Sequence, residues 1–248
     1  MIFNYFKTKL NTIALVLIFT GTVGCSVYWL KGHTAPQLIG EAFFKVNTSK
    51  KLVALTFDDG PSLPFTAEIL DILKKHNVKA TFFVLGGNAE KYPELLKRMY
   101  KEGHEIGNHS WSHERLVFKT PKFIKDEIES TDKIIRASGY DGPIHFRAPY
   151  GNKLIILPWI LKSMNRPHIL FDLIAKDWEF PTAQVMTQRV IDGLHPGAII
   201  LFHDGGGDKS NVVQALDLFI IGIKQRGYEL LKINDLIQEG MMENRDSD

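Results

Sequence analysis

Apolar and polar positions divide the chain into three regimes. From Asn11 to Leu30 there is no charged residue, and Ile13 to Phe19 is strongly apolar; such a run is about as long as a helix that crosses a bilayer core. From Gly32 to about Ser49, Gly, His, Pro, Gln and Lys mix without a sustained period, as in a linker. From Lys51 onward, short apolar runs alternate with stretches whose apolar positions recur at helical spacing. Leu52 to Phe57 reads as a strand, and Phe65, Ile69, Leu70, Ile72 and Leu73 share one face of a helix that Asn77 ends. Further strands are expected at Ala80 to Leu85, Glu105 to Gly107, His145 to Arg147, His168 to Leu173, Ala198 to Phe202 and Tyr228 to Lys232. Helices are expected at Pro93 to Tyr100, at Pro121 to Ser138 between a Thr120 cap and a Gly139 stop, at Leu154 to Met164, Ala183 to Ile191, Val212 to Gln225 and Asp235 to Glu239. About seven βα units in succession imply an α/β fold with a parallel sheet, most simply a barrel, with a doubly wound open sheet as the alternative. The resulting boundaries are 1–31 for an N-terminal segment, 32–50 for the linker, 51–240 for one globular domain and 241–248 for a frayed polar tail.

Charge sharpens the N-terminal reading. Lys7 and Lys9 precede the apolar run and Lys31 closes it, while Thr20, Gly21, Thr22, Gly24, Cys25 and Ser26 make its second half small. Three readings fit: an uncleaved transmembrane anchor with its N-terminus in the cytoplasm, a lipoprotein signal, and a cleaved signal peptide. Thr22-Val23-Gly24-Cys25 resembles a lipid-attachment box, departing from it at Thr22 where Leu is usual. The absence of amphipathic periodicity argues against a buried soluble helix. All three readings attach or export the chain, placing the domain outside the cytoplasm, periplasmic or at the cell surface.

The 248 residues are 44% hydrophobic and 23% charged, enough for a sizeable core, and this excludes disorder for most of the chain. A net charge of +2, with no Lys/Arg stripe carrying interleaved aromatics, argues against nucleic acid as a partner. No protein partner is expected. One cysteine builds neither an internal disulfide nor a thiolate zinc site, so any bound metal is held by His and carboxylates.

Several segments at predicted strand ends carry chemistry. Thr56-Phe57-Asp58-Asp59-Gly60-Pro61 puts two adjacent carboxylates at the C-terminal end of the first strand, where a barrel places reactive groups. A turn with a helix cap explains an isolated DDGP equally well; in the functional alternative a cation keeps both carboxylates ionised, one as its ligand and one as a base. His109-Ser110-Trp111-Ser112-His113 spaces two histidines four apart, so that on a helical turn both imidazoles reach one metal. With Asp59 they make two His and one carboxylate, a ligand set of hydrolytic zinc sites. Arg147-Ala148-Pro149-Tyr150-Gly151, Asp177-Trp178 and Leu201-Phe202-His203-Asp204 also end predicted strands. Singly, Arg147 reads as a structural ion pair, Trp178 as core and His203 as a cap partner; together they share one rim, where charged and aromatic residues form sites. A carboxylate near His203, either Asp204 or Asp177, would raise the imidazole pKa and suit it to general acid work. Gly205-Gly206-Gly207 lacks the Lys-Ser/Thr of a phosphate loop and reads as a mobile rim loop. Cys25 has no plausible base nearby, and His33, His76, His104, His145, His168 and His195 read as surface or packing residues.

TFDDGP and HSWSH, with the segments that follow in order, resemble the motif set of the polysaccharide deacetylase family, the NodB-homology domain of carbohydrate esterase family 4, over about Lys51 to Ile237. The resemblance implies a distorted (β/α)7 barrel and a hydrolase that removes N-acetyl groups from an extracytoplasmic GlcNAc- or MurNAc-type polymer. It implies a divalent metal held by Asp59, His109 and His113, zinc by preference with Co2+ or Ni2+ as substitutes. Asp58 would be the general base, positioned by Arg147, and His203 the general acid, oriented by Asp177. The Tyr150 N–H would bind the oxyanion, with Trp178 and Leu201 lining the acetyl pocket. Ala148 stands where Pro is common and Phe202 where an aliphatic residue is usual. The alternatives are an O-acetyl esterase or small-molecule amidohydrolase on the same site, or a catalytically silent glycan-binding module.

Overall fold

The computed structural model describes Gln37 and residues 39–246. The expected anchor or signal segment, Cys25 and the start of the expected linker lie outside these residues. Among the described residues no helix is long and apolar enough to cross a membrane.

In chain order the elements are β1 (Ala42–Phe43), β2 (Leu52–Asp58), α1 (Phe65–Lys75), β3 (Thr81–Val84), α2 (Gly86–Lys91), α3 (Pro93–Lys101), β4 (Glu105–Asn108), α4 (Pro121–Ala137), α5 (Ile156–Ser163), β5 (His168–Ile169), β6 (Leu173–Ile174), α6 (Ala183–Asp192), β7 (Ile199–His203), α7 (Ser210–Gln225), β8 (Glu229–Leu231) and α8 (Ile233–Asp246). The fold is α/β with a parallel sheet, as the alternating periodicity predicts. The sheet runs β4-β3-β2-β7-β6, and β8 pairs with the first half of β2. Single-residue bridges through Phe146 carry the parallel pairing on from Asn108 to His168, beside the β1-β5 pair. The expected strand at His145 to Arg147 is thus reduced to one bridging residue.

The expected strand at His168 to Leu173 is split. The Arg147 guanidinium donates from Nε to the Ile169 carbonyl at 3.4 Å and from Nη2 to the Leu170 carbonyl at 3.1 Å, occupying acceptors that an unbroken ladder would use. Residues 41–50, expected as linker, pack on the domain: β1 pairs with β5, and Val46 is buried and donates its N–H to Gly197. Residues 241–246, expected as a frayed tail, continue α8. Its Glu243 carboxylate accepts from Ser49 N, and a Cβ on Gly240 would lie 2.4 Å from Val46, so this helix closes against the entering chain.

Alternation along the strands fixes what enters the barrel. Val53, Leu55 and Phe57 of β2 face outward, and Phe57 stacks on Phe82 with ring centroids 5.0 Å apart in the layer beneath the helices. Ala54, Thr56 and Asp58 therefore point inward. The same rule sends Ile200 and Phe202 of β7 outward and Ile199, Leu201 and His203 inward. Because both faces are covered, the strands read as unbroken apolar runs, and a polar residue on one is an exception that needs a partner.

Glu105 is such an exception, in register with Thr81 and through it with Thr56, two residues before the level of Asp58. Its Oε2 accepts from Asn234 N at 2.9 Å and Thr81 Oγ1 at 3.2 Å, which ties down the start of α8. Its Oε1 has no hydrogen-bond partner among the described residues, and His145 Nε2 lies 3.5 Å from it. Burial pushes the Glu105 carboxyl up to about 7 and His145 down to about 4, so between these values the pair is a neutral acid beside a neutral imidazole. With its folded pKa raised, the stability Glu105 contributes is complete below about 4.5 and is lost as pH rises through about 7, on the order of 3 kcal/mol. Glu105→Gln stays neutral at every pH and keeps both acceptor bonds. Calorimetry should show its melting temperature gaining on the wild type between pH 5 and pH 8, and a gap that stays constant would refute the neutral-acid assignment.

Candidate active site

The Asp58-Asp59 pair ends β2. Asp58 is 3% exposed and its Oδ1 accepts from Arg147 Nη1 at 2.7 Å; the same nitrogen donates to Thr56 Oγ1 at 2.8 Å. Arg147 is fully buried and lies over the Phe83 ring at 4.1 Å, so its fork fixes Asp58 from inside the barrel. Asp59 leaves the strand with φ 72°, and its carboxylate reaches the same His109 Nε2 as that of Asp58, at 3.4 Å against 3.7 Å. Asn88 Nδ2 donates to its carbonyl at 2.8 Å, and a Cβ on Gly205 would lie 2.1 Å from the same oxygen. Only glycine fits there, so Gly205 is a close-packed brace on the ligand loop, whereas Gly206 and Gly207 are exposed.

The histidines converge by a route other than the expected helical turn. Residues 109–113 form an irregular loop, with Ser110 at φ 71° and His113 at φ 61°. The loop is held by Glu127 of α4, whose carboxylate accepts from Trp111 N and Ser112 N, each at 2.9 Å, and by Asn108 Oδ1, which accepts from Ser110 N at 2.8 Å. These bonds replace helical ones and bring the two imidazoles to a centroid separation of 5.2 Å. His109 Nδ1 is engaged by the Arg147 carbonyl at 2.8 Å, leaving Nε2 for the site. His109 Nε2 and His113 Nε2 lie 3.4 and 3.1 Å from Asp59 Oδ1.

Asp59 Oδ1 is buried without a hydrogen-bond partner among the described residues, and one ligand atom from each of Asp59, His109 and His113 lies within 4.8 Å of the others. Three acceptors converging on one point repel unless a cation joins them, so these residues fit a divalent metal. Burial alone would raise the Asp59 carboxyl, but the close approach and charge of His109, with the charges of His203 and His113, outweigh it and hold the group far below the usual carboxylate range.

His203 closes the site from β7. It pairs in register with Asp58, and both side chains point inward, so base and acid candidates sit one strand apart. His203 Nδ1 is 2.9 Å from Oδ1 of Asp177, which is 1% exposed. Burial would depress the His203 pKa, but that bond with the charges of Asp177, Asp58 and Asp59 raises it. Asp204, the other carboxylate that the sequence offers to His203, faces the opposite way: its Oδ2 accepts from Thr66 Oγ1 at 2.6 Å, and burial pushes it up to about 7. Adjacent residues at a strand end point to opposite sides, which decides between them.

A cavity of about 620 Å3 opens on this cluster, lined by Asp58, Asp59, His109, His113, His203, Tyr150, Trp178 and Leu201. Arg147 and Asp177 stand behind it. Tyr150, at φ 60°, packs its ring on His113 with centroids 4.7 Å apart, and Trp178 meets His203 edge-on at 5.5 Å. Tyr150 and Trp178 are about half exposed, whereas Leu201 is buried. Every residue picked out from the sequence is therefore at this rim. Asn88, Glu127 and Lys209 were not, because their partners lie 15 to 32 residues away and no spacing announces them.

Residues 45–166 match the family model for polysaccharide deacetylases. The peptidoglycan-N-acetylglucosamine deacetylase of Bacillus cereus is 42% identical over 193 residues, covering 77% of this chain and 70% of that protein. The chain belongs to the polysaccharide deacetylase family. The resemblance read from TFDDGP and HSWSH is thereby borne out. Other members include the peptidoglycan-N-acetylmuramic acid deacetylase PdaA of Bacillus subtilis, 35% identical over 82% of this chain and 77% of that one. The peptidoglycan-N-acetylglucosamine deacetylase PgdA of Listeria monocytogenes is 38% identical over 79% of this chain, which spans only 40% of its length.

Solved structures agree. A peptidoglycan N-acetylglucosamine deacetylase bound to 4-naphthalen-1-yl-N-oxidanyl-benzamide superposes with a TM-score of 0.76 at 39% identity, covering 79% of this chain and 92% of that one. A family 4 acetyl xylan esterase from Clostridium thermocellum with a cobalt ion gives 0.70 at 38% identity, covering 75% and 90%. A pseudoenzyme of carbohydrate esterase family 4 from Bacillus anthracis gives 0.75 at 30% identity, covering 83% and 73%. Membership of the family alone therefore does not decide activity, and the site residues must.

Proposed function

We propose that the protein is a metal-dependent hydrolase that removes the N-acetyl group from amino sugars of peptidoglycan, on the outer side of the cytoplasmic membrane. One observation carries the reading: the Asp59, His109 and His113 ligand atoms converge beside an Arg147-held Asp58, with an Asp177-backed His203 one strand away in the same cavity. The peptidoglycan relatives supply the polymer. The apolar run at 11–30 supports the location, and with it the membrane as a partner through an anchor or lipid.

An N-acetyl amide is a weak electrophile with a poor leaving group, so the site must polarise the carbonyl, activate water and protonate the departing amine. A divalent cation held by Asp59, His109 and His113, zinc by this donor set with Co2+ or Ni2+ as substitutes, supplies Lewis acidity for the first two tasks. Asp58 takes the proton of the attacking water, and Arg147 keeps its carboxylate aimed while lending it positive charge. The Tyr150 N–H donates to the oxyanion. His203, held as imidazolium by Asp177, gives its proton to the nitrogen as the C–N bond breaks. Leu201 and Trp178 enclose the acetyl methyl.

The acetyl xylan esterase neighbour keeps O-deacetylation as the second reading. Acetate release by the metal-loaded full chain from peptidoglycan, chitin oligomers and O-acetylated xylan separates the two. N-deacetylation predicts acetate with an equal yield of free amine from peptidoglycan. Release from the ester substrate alone would replace this reading with the second, and binding without any release would favour a silent glycan-binding module.

A further inference from the structure

We infer that Lys209 is a positioning residue for the acid half of the site, acting through Asp177. This rests on the assignment of His203 as general acid. Asp177 has two cationic neighbours on opposite oxygens: His203 Nδ1 lies 2.9 Å from Oδ1, and Lys209 Nζ lies 3.3 Å from Oδ2. Lys209 is 5% exposed and Asp177 is 1% exposed, and Lys209 reaches the carboxylate from the end of the glycine segment whose Gly205 braces Asp59. Asn211 Nδ2 donates to the Asp177 carbonyl at 2.8 Å, so the same turn clamps both ends of the residue. A lysine so buried is costly unless an anion compensates it, and Asp177 is the partner it has.

The arrangement solves a problem set by the acid's own chemistry. When His203 gives up its proton, a two-membered pair would leave the Asp177 carboxylate buried beside a neutral ring. With Lys209 present, the carboxylate keeps a counter-charge in both states of His203 and keeps its Oδ1 turned toward Nδ1, which holds the proton-donating nitrogen on the substrate side. By sharing the Asp177 negative charge, the cation also makes His203 a stronger acid than Asp177 alone would permit. The other charged groups facing His203 are Asp58 and Asp59 at the end of β2, His109 and His113 on the loop after β4, and Lys176 on the cavity wall.

The test uses the metal-loaded full chain on one acetylated glycan, with kcat, KM and the pH profile measured for Lys209→Met, Lys209→Gln and Lys209→Arg. Lys209→Met should lower kcat on the order of 10- to 100-fold, as loss of an outer partner of a working histidine does, with KM within about twofold. The basic limb of its profile should move to higher pH, because removal of the cation makes the imidazolium harder to deprotonate. Lys209→Arg should restore both, and Lys209→Gln, which keeps a hydrogen bond without the charge, should show the same limb shift even if the methionine variant does not fold. In an Asp177→Asn background the methionine substitution should move the limb no further. A KM increase alone would mean that Lys209 contacts substrate, and an unmoved limb with a lowered melting temperature would mean a structural ion pair; either result overturns the inference.

Discussion

Asp58→Asn should lower acetate release by a factor on the order of 10² to 10⁴, the range for loss of a general base, while metal content stays at the wild-type level. The separation follows from the geometry. Asp58 is inside the barrel, tied to Arg147 at 2.7 Å, and its second oxygen is 3.7 Å from His109 Nε2, farther than Asp59 Oδ1 is from either histidine. The amide that replaces the carboxylate would still accept from Arg147 but would carry no charge. Arg147, fully buried, would then lose its counter-ion, so a fall in stability of a few kcal/mol is expected alongside the kinetic loss. Activity must therefore be read well below the melting temperature of the variant. Full activity in a folded Asp58→Asn protein would remove Asp58 from the mechanism.

His109→Ala should abolish both metal binding and activity. His109 is 2% exposed, its Nδ1 is fixed by the Arg147 carbonyl, and it is the most buried residue of the three. Without it a carboxylate and a partly exposed imidazole remain, too few for tight binding of a tetrahedral cation. A melting scan gives a readout independent of turnover: excess zinc should raise the melting temperature of the wild type and of Asp58→Asn, because it binds only the folded state, and leave His109→Ala unmoved. Equal stabilisation of all three proteins would place the metal elsewhere.

The sequence showed the ends of strands better than their continuity. Asp58, Asp59, Arg147, Asp177 and His203 were legible because each follows a short apolar run, and a parallel barrel collects such ends on one rim. The break between β5 and β6 was not legible, since it comes from Arg147 taking the Ile169 and Leu170 carbonyls, a contact made across more than 20 residues. The irregular path of residues 109–113 was hidden for the same reason: the donor groups that would build a helical turn are satisfied by Glu127, on the next helix. The spacing of His109 and His113 pointed to the right convergence through the wrong local geometry. Asp177 rather than Asp204 as the partner of His203 required knowing which side of the strand each residue faces, and the packing of residues 41–50 depends on α8 reaching back to close over them.

On the proposed function, catalysis depends on a cation at Asp59, His109 and His113 serving acetyl hydrolysis by Asp58 and His203. The most direct test is a zinc titration of the chelator-stripped full chain, followed by acetate release from N-acetylated peptidoglycan. The expected result is no release by the stripped protein, a linear rise to a break at about one metal per chain, and the same binding break without release in Asp58→Asn. Undiminished acetate release by the stripped wild-type protein would contradict it.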